Sequence, residues 1–124
     1  MILTADSSKP IYVQIAQWLE DEILSGALPE DERIYSQYQL AELFNINPAT
    51  AAKGLNILAD EELVYKRRGL GMFVSAGARA RIQEKRRNVT LASLLEQLVA
   101  EARRLAMADE ELLALLAQAL RKEG

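Results

Sequence analysis

The chain has 124 residues, half of them hydrophobic and 27% charged, with a formal net charge of −3; this is enough for one small domain with an appendage and excludes a disordered chain. Cysteine and histidine are both absent, which removes disulfides, thiolate nucleophiles, imidazole bases and the usual zinc ligands, and leaves no cofactor or metal to expect. No stretch approaches the ~20 apolar residues of a membrane span and no basic-then-apolar leader opens the chain, so a cytoplasmic protein with no membrane partner is expected.

The first predicted element runs from about Pro10 to Ser25, where Tyr12, Ile15, Ala16, Leu19 and Ile23 fall on one helical face. Gly26 supplies a left-handed stop, Leu28-Pro29 leads into an acidic connection, and Ile34-Tyr35 reads as a small edge strand. A second helix starts at Ser36, because Ser36 and Gln39 have the spacing of a capping box, in which each side chain takes up the other's free backbone N–H. Leu40, Leu43 and Phe44 are its expected buried face. The pattern breaks at Asn45-Ile46-Asn47-Pro48, where Asn47 suits an N-cap and Pro48 a first helical position. A third helix is therefore predicted from Pro48 to about Glu61, burying Ala51, Leu55, Leu58 and Ala59. Two short helices joined by so tight a turn, the second with polar groups on its free face, form a helix-turn-helix.

Residues 63–75 then read as two strands joined by a glycine-flanked turn, a β-hairpin with Lys66, Arg67 and Arg68 before its Gly69-Leu70-Gly71 tip. A helix-turn-helix followed by such a hairpin is a winged helix, whose recognition helix enters a major groove while the wing touches the backbone or minor groove beside it. Strand alternation places Lys66 and Arg68 on one side of the wing and Arg67 on the other. Beyond it, Leu91, Leu94, Leu95, Leu98, Ala102 and Leu105 make one helical stripe, and Leu112, Leu113, Leu116 and Leu120 make another after a break at residues 107–109.

Charge is unevenly spread. From Met1 to Ala78 six basic residues stand against eleven acidic ones, whereas from Lys66 to Arg87 eight basic residues (Lys66, Arg67, Arg68, Arg79, Arg81, Lys85, Arg86 and Arg87) meet only Glu84. This cationic belt is either a phosphate-binding surface or a solvated helix face paired with nearby carboxylates. The adjacent carboxylates Asp60, Glu61 and Glu62 occupy consecutive helical positions and diverge, so they do not make a general acid-base pair. No enzyme is expected.

The segments Ser25-Gly26-Ala27-Leu28-Pro29, Leu40-Ala41-Glu42-Leu43-Phe44, Asn47-Pro48-Ala49-Thr50, Glu62-Leu63-Val64-Tyr65 and Arg68-Gly69-Leu70-Gly71-Met72-Phe73-Val74, in this order and spacing, resemble the GntR family DNA-binding domain. The short C-terminal remainder is similar to the YtrA subfamily, whose C-terminal helix pair mediates dimerisation and whose members often sit beside genes for ABC-type transporters. The resemblance implies a mainly α fold with a small β-hairpin: an N-terminal winged helix-turn-helix over residues 1–76 and a helical dimerisation segment over 77–124. It also implies a cytoplasmic, sequence-specific transcription regulator, commonly a repressor, that binds a palindromic double-stranded DNA operator as a homodimer. Ser36, Thr50 and Lys53 match as polar or cationic DNA contacts, and Arg68, Gly69 and Gly71 match in the wing. Tyr38, Asn47 and Ala49 hold positions that face DNA in the family, Ala49 being suited to a thymine methyl. Where most members carry Pro-Ser-x-Arg, this chain has Tyr35-Ser36-Gln37-Tyr38, so the usual arginine is a tyrosine. Two alternatives stand beside this reading: a winged helix that binds another protein instead of DNA, and leucine stripes that fold back on the winged helix. A small-molecule effector would have to bind at a dimer or interdomain crevice, and nothing in the sequence identifies one.

Overall fold

The computed structural model of the protein describes residues 8–123, which form helices and one antiparallel hairpin in two compact units that divide between Glu84 and Lys85.

In the first unit α1 spans Ile11–Ser25 and buries Ile15, Ala16, Leu19 and Ile23, while Tyr12 stays half-buried. Gly26 ends the helix at φ +88°, a left-handed conformation that a β-carbon would penalise. Helix α2 (Gln37–Phe44) and helix α3 (Pro48–Asp60) follow, joined through Asn45 at φ +54°. Leu40 and Ala41 of α2 are buried, and Phe44 packs edge-on to Trp18 of α1 at 5.0 Å. Leu43 is instead 56% exposed; it lies one turn on from Leu40 but rotated past the arc that Leu40, Ala41 and Phe44 cover on this eight-residue helix.

The hairpin pairs β1 (Val64–Arg67) with β2 (Gly71–Val74) in the register Val64↔Val74, Tyr65↔Phe73, Lys66↔Met72, Arg67↔Gly71. Ile34-Tyr35 does not form a full strand. Instead residues 31–34 run beside β2, with the Ile34 N–H donating to Met72 O at 2.8 Å, the Asp31 N–H to Val74 O at 2.8 Å, and Arg33 bridged to Phe73. After β2, α4 (Ala78–Lys85) returns to the core, where Ala78 and Ile82 are fully buried among Ile15, Leu19, Leu58 and Val74. These two side chains move the boundary expected at residue 76 to the Glu84–Lys85 bond.

In the second unit a π-helical segment, Arg86–Leu91, precedes α5 (Ala92–Arg104), and α6 spans Asp109–Glu123. The turn between α5 and α6 closes with Ala106 at φ +53° and the Met107 N–H on Ala102 O at 3.0 Å. Arg103 pairs with Asp109 at 2.7 Å across it. The acidic first turn of α6 (Asp109, Glu110, Glu111) and its basic last turn (Arg121, Lys122) complement the helix dipole. Among the described residues of the two helices only Ala102 is buried. Among the described residues no helix is long and apolar enough to cross a membrane, and none of the acidic side chains cluster as metal ligands.

Candidate nucleic-acid interface

The helix-turn-helix is held by its caps. The Ser36 hydroxyl accepts the Gln39 N–H at 3.1 Å and Gln39 Oε1 accepts the Ser36 N–H at 2.8 Å. Asn47 Oδ1 accepts the Ala49 N–H at 2.8 Å, with Pro48 in the first helical position. Two of the expected contact residues, Ser36 and Asn47, thus have side-chain oxygens already engaged in starting the helices; the Ser36 O–H and the Asn47 amide N–H groups are the donors they can offer. On α3, Ala49 and Lys53 are exposed and Thr50 is half-buried. The Lys53 ammonium stands 5.7 Å from the centre of the Tyr12 ring, so α1 restricts where this cation points.

A cleft of about 300 Å³ opens where the start of α2, the free face of α3 and the wing meet. Ser36, Gln37 and Tyr38 line it from α2, Ala52 and Asn56 from α3, and Lys66, Gly71 and Met72 from the wing, with Arg33 entering from the connection. No carboxylate is among the lining residues. In a unit with twelve acidic residues against eight basic ones, this cleft sets two cations and several neutral donors on a partly apolar lining, a local charge that suits an anion. Of the residues singled out from the sequence it brings together Ser36, Tyr38, Lys66 and Gly71. Tyr38 is 69% exposed, so its ring and hydroxyl are free to meet a ligand.

The other wing residues are placed differently. Arg67 lies on the opposite face from Lys66, its guanidinium 5.0 Å over the Phe73 ring, which itself stacks on Tyr65. The stacking restricts where this cation points, while the residue stays exposed. The Tyr65 hydroxyl donates to Asp31 at 3.0 Å, and its pKa is raised above 10.0 by desolvation first and the Asp31 bond second. Arg68 and Gly69 occupy the exposed turn, closed by the Leu70 N–H on Arg67 O at 2.9 Å. Gly69 has φ +76° there, so it belongs to the turn rather than to either strand face, and Arg68 does not continue the alternation that starts at Lys66.

The belt beyond the wing is partly structural. Arg81 donates to Glu62 O at 2.7 Å and to Ala76 O at 3.3 Å, tying α4 to the end of α3. Sequence reasoning missed Arg33. Its signal was weak: a lone cation in an acidic connection, brought to the cleft only by a backbone bridge to a residue forty positions away.

The candidate dimerisation residues form an uncovered apolar surface in the second unit. Leu91, Leu94, Leu95, Leu98 and Leu105 on one stripe, and Leu113, Leu116 and Leu120 on the other, are all at least 41% exposed, while Leu112 is half-buried and Ala102 buried. Val99 and Leu115, which were not expected, are exposed beside them. An apolar groove of about 250 Å³ runs between α5 and α6, lined by Leu98, Leu105, Leu112, Leu115 and Leu116.

Comparison with known proteins locates the first unit among bacterial regulators. The family model "Bacterial regulatory proteins, gntR family" matches residues 11–74. The HTH-type transcriptional repressor YtrA of Bacillus subtilis is 30% identical over 96 residues, which are 77% of this chain and 73% of YtrA. A GntR family transcriptional regulator from Listeria monocytogenes superposes with a TM-score of 0.74 at 28% identity, over 91% of this chain and 97% of the other. AraR(DBD), solved in complex with operator ORX1, aligns with a TM-score of 0.55 at 25% identity, over 60% of this chain and 93% of that one. The chain spans 31% of the length of the repressor NagR of Bacillus subtilis and 19% of the arabinose metabolism repressor of Geobacillus stearothermophilus, but 87% of the regulator YhcF of Bacillus subtilis.

Proposed function

The chain belongs to the gntR family of bacterial regulatory proteins, and from this premise we propose that it is a transcription regulator that represses in the cytoplasm by binding a palindromic operator as a homodimer, with no catalytic activity of its own. The observation that carries the reading is the carboxylate-free cleft between the helix-turn-helix and the wing of an otherwise acidic domain. Such a surface attracts polyanions through local charge while the rest of the domain repels them, which orients the protein on the duplex. The start of α3, with Ala49, Thr50 and Lys53, then reads base edges, and Arg68 with Gly69 at the tip of the wing approaches the neighbouring groove. Repression agrees with the names borne by relatives such as YtrA.

Dimerisation is supported by the leucines of α5 and α6. Each contributes roughly 1.5–3 kcal/mol when fully buried, and a two-fold axis lets one stripe cover its copy. Two recognition helices on one palindrome also supply affinity that a single helix with few long polar side chains lacks.

The test is selection of genomic fragments by the purified full-length protein, followed by footprinting of the enriched sites. The expected result is a protected inverted repeat with half-sites about one helical turn apart. Retention of fragments without any shared sequence would refute sequence-specific regulation.

A further inference from the structure

We propose that Arg33 is a phosphate-binding residue of the interface, gripping the DNA backbone at the start of α2; this rests on the DNA-binding reading above. Four observations converge on it. Arg33 and Lys66 are the two cations among the residues that line the cleft, and no acidic side chain lines it with them. The backbone of Arg33 is fixed, because residue 33 bridges to Phe73 and the next N–H is bound to Met72 O at 2.8 Å.

The side chain is steered as well. The position that a β-carbon would take on Gly71 lies 3.0 Å from Arg33 Nε, 3.4 Å from Nη2 and 3.5 Å from Cζ, so the guanidinium rests across the bare face of this glycine. A β-carbon at position 71 would shift it by a few tenths of an ångström and would be strained at the Gly71 φ of +108°. No ion pair among the described residues engages Arg33, although the neighbouring residues Glu30, Asp31 and Glu32 are acidic. Two of those carboxylates are committed elsewhere, Glu30 to the Gly77 N–H at 2.7 Å and Asp31 to the Tyr65 hydroxyl. The result is an exposed guanidinium on a fixed backbone, resting across Gly71 with its donors left to offer.

A guanidinium presents five N–H donors in a fork that matches two phosphate oxygens. Lys66 reaches the same cleft from β1, while the hydroxyls of Ser36 and Tyr38 bring neutral donors. This set fits a backbone phosphate, which carries charge and no sequence information. Gly71 thereby acquires a role distinct from approaching the groove itself: it seats Arg33.

Fluorescence anisotropy of the full-length protein, with a selected operator duplex and a random duplex across about 50–300 mM salt, tests the assignment. Arg33→Gln should weaken binding to both duplexes alike, by about tenfold or more near physiological salt. It should also reduce the slope of log affinity against log salt by about 0.9 per protomer. Arg33→Lys should keep most of the slope, and Arg121→Gln on α6 should leave both quantities unchanged. Helical circular dichroism and melting like those of the unaltered protein establish that Arg33→Gln is folded. A wild-type slope in Arg33→Gln would overturn the proposal while leaving DNA binding intact, and a loss confined to the operator would make Arg33 a base reader and overturn the phosphate assignment. If the unaltered protein itself shows no salt-sensitive binding, the DNA-binding reading fails first and takes this one with it.

Discussion

Replacing Gly54 by alanine should destabilise the first unit by about 1–2 kcal/mol, although helix propensity alone predicts the opposite sign. Gly54 is buried on α3 where that helix crosses α1. A β-carbon there would lie 2.8 Å from Ile15 Cγ2, 3.0 Å from Ile15 Cβ and 3.0 Å from the Tyr12 carbonyl oxygen. Comfortable carbon contacts begin near ~3.5 Å, so the two helices must separate by several tenths of an ångström. Alanine gains up to about 1 kcal/mol in a helix interior and in the unfolded chain. Overpacking costs about 1–3 kcal/mol, and the upper part of that range applies because the obstacles are a backbone oxygen and the stem of a β-branched side chain. Urea denaturation gives the difference directly. Ile15→Leu removes Cγ2 while roughly conserving volume, so the double variant should recover part of the loss, with a coupling of about 0.5 kcal/mol or more. A Gly54→Ala protein about 1 kcal/mol more stable than the unaltered one would show that α1 and α3 do not approach this closely, and the reasoning would fall.

Ser36→Ala removes the hydroxyl half of the capping box and should cost about 1 kcal/mol of stability in the same assay; an unchanged midpoint would mean that the box does not anchor α2. Leu98→Glu, at the groove between α5 and α6, should convert a dimer to a folded monomer in sedimentation and sharply weaken operator binding, whereas a monomeric unaltered protein at micromolar concentration would remove the dimer. Because the Tyr65 pKa is raised above the ordinary tyrosine value, by desolvation first and the Asp31 bond second, its contribution to folding is complete below the unfolded pKa and is lost as pH rises through the folded one. Tyr65→Phe should therefore lose less stability than the unaltered protein as pH rises past about 10; parallel losses would mean that folding does not raise the Tyr65 pKa.

The parts of the fold that were legible in the sequence are those decided within a few residues. The Ser36–Gln39 box, the Asn47-Pro48 start and the Gly26 stop all act over four positions or fewer, and the wing follows from two short apolar runs around glycine. What was not legible depends on partners far along the chain. Leu43 has the right spacing for a buried face, but only the placement of α1 and α3 decides which arc of α2 is covered. Ala78 and Ile82 fall in the charged start of the segment assigned to dimerisation, and only the core behind them shows that they pack with the first unit. Arg67 and Arg68 are adjacent cations, yet register sends one to the Phe73 ring and a turn takes the other out of the sheet. Arg33 is the extreme case, since it reaches the cleft beside β2 and rests across a glycine nearly forty positions away.

The central claim is that this acidic chain binds duplex DNA through a small cationic surface on each of two protomers. Its most direct test is the affinity of the full-length protein for a selected palindromic duplex, followed by anisotropy as salt is raised. With Arg33, Lys66 and Arg68 each contacting phosphate in both protomers, log affinity should fall against log salt with a slope of about −5. A slope near zero, or no binding even at low salt, would contradict the account.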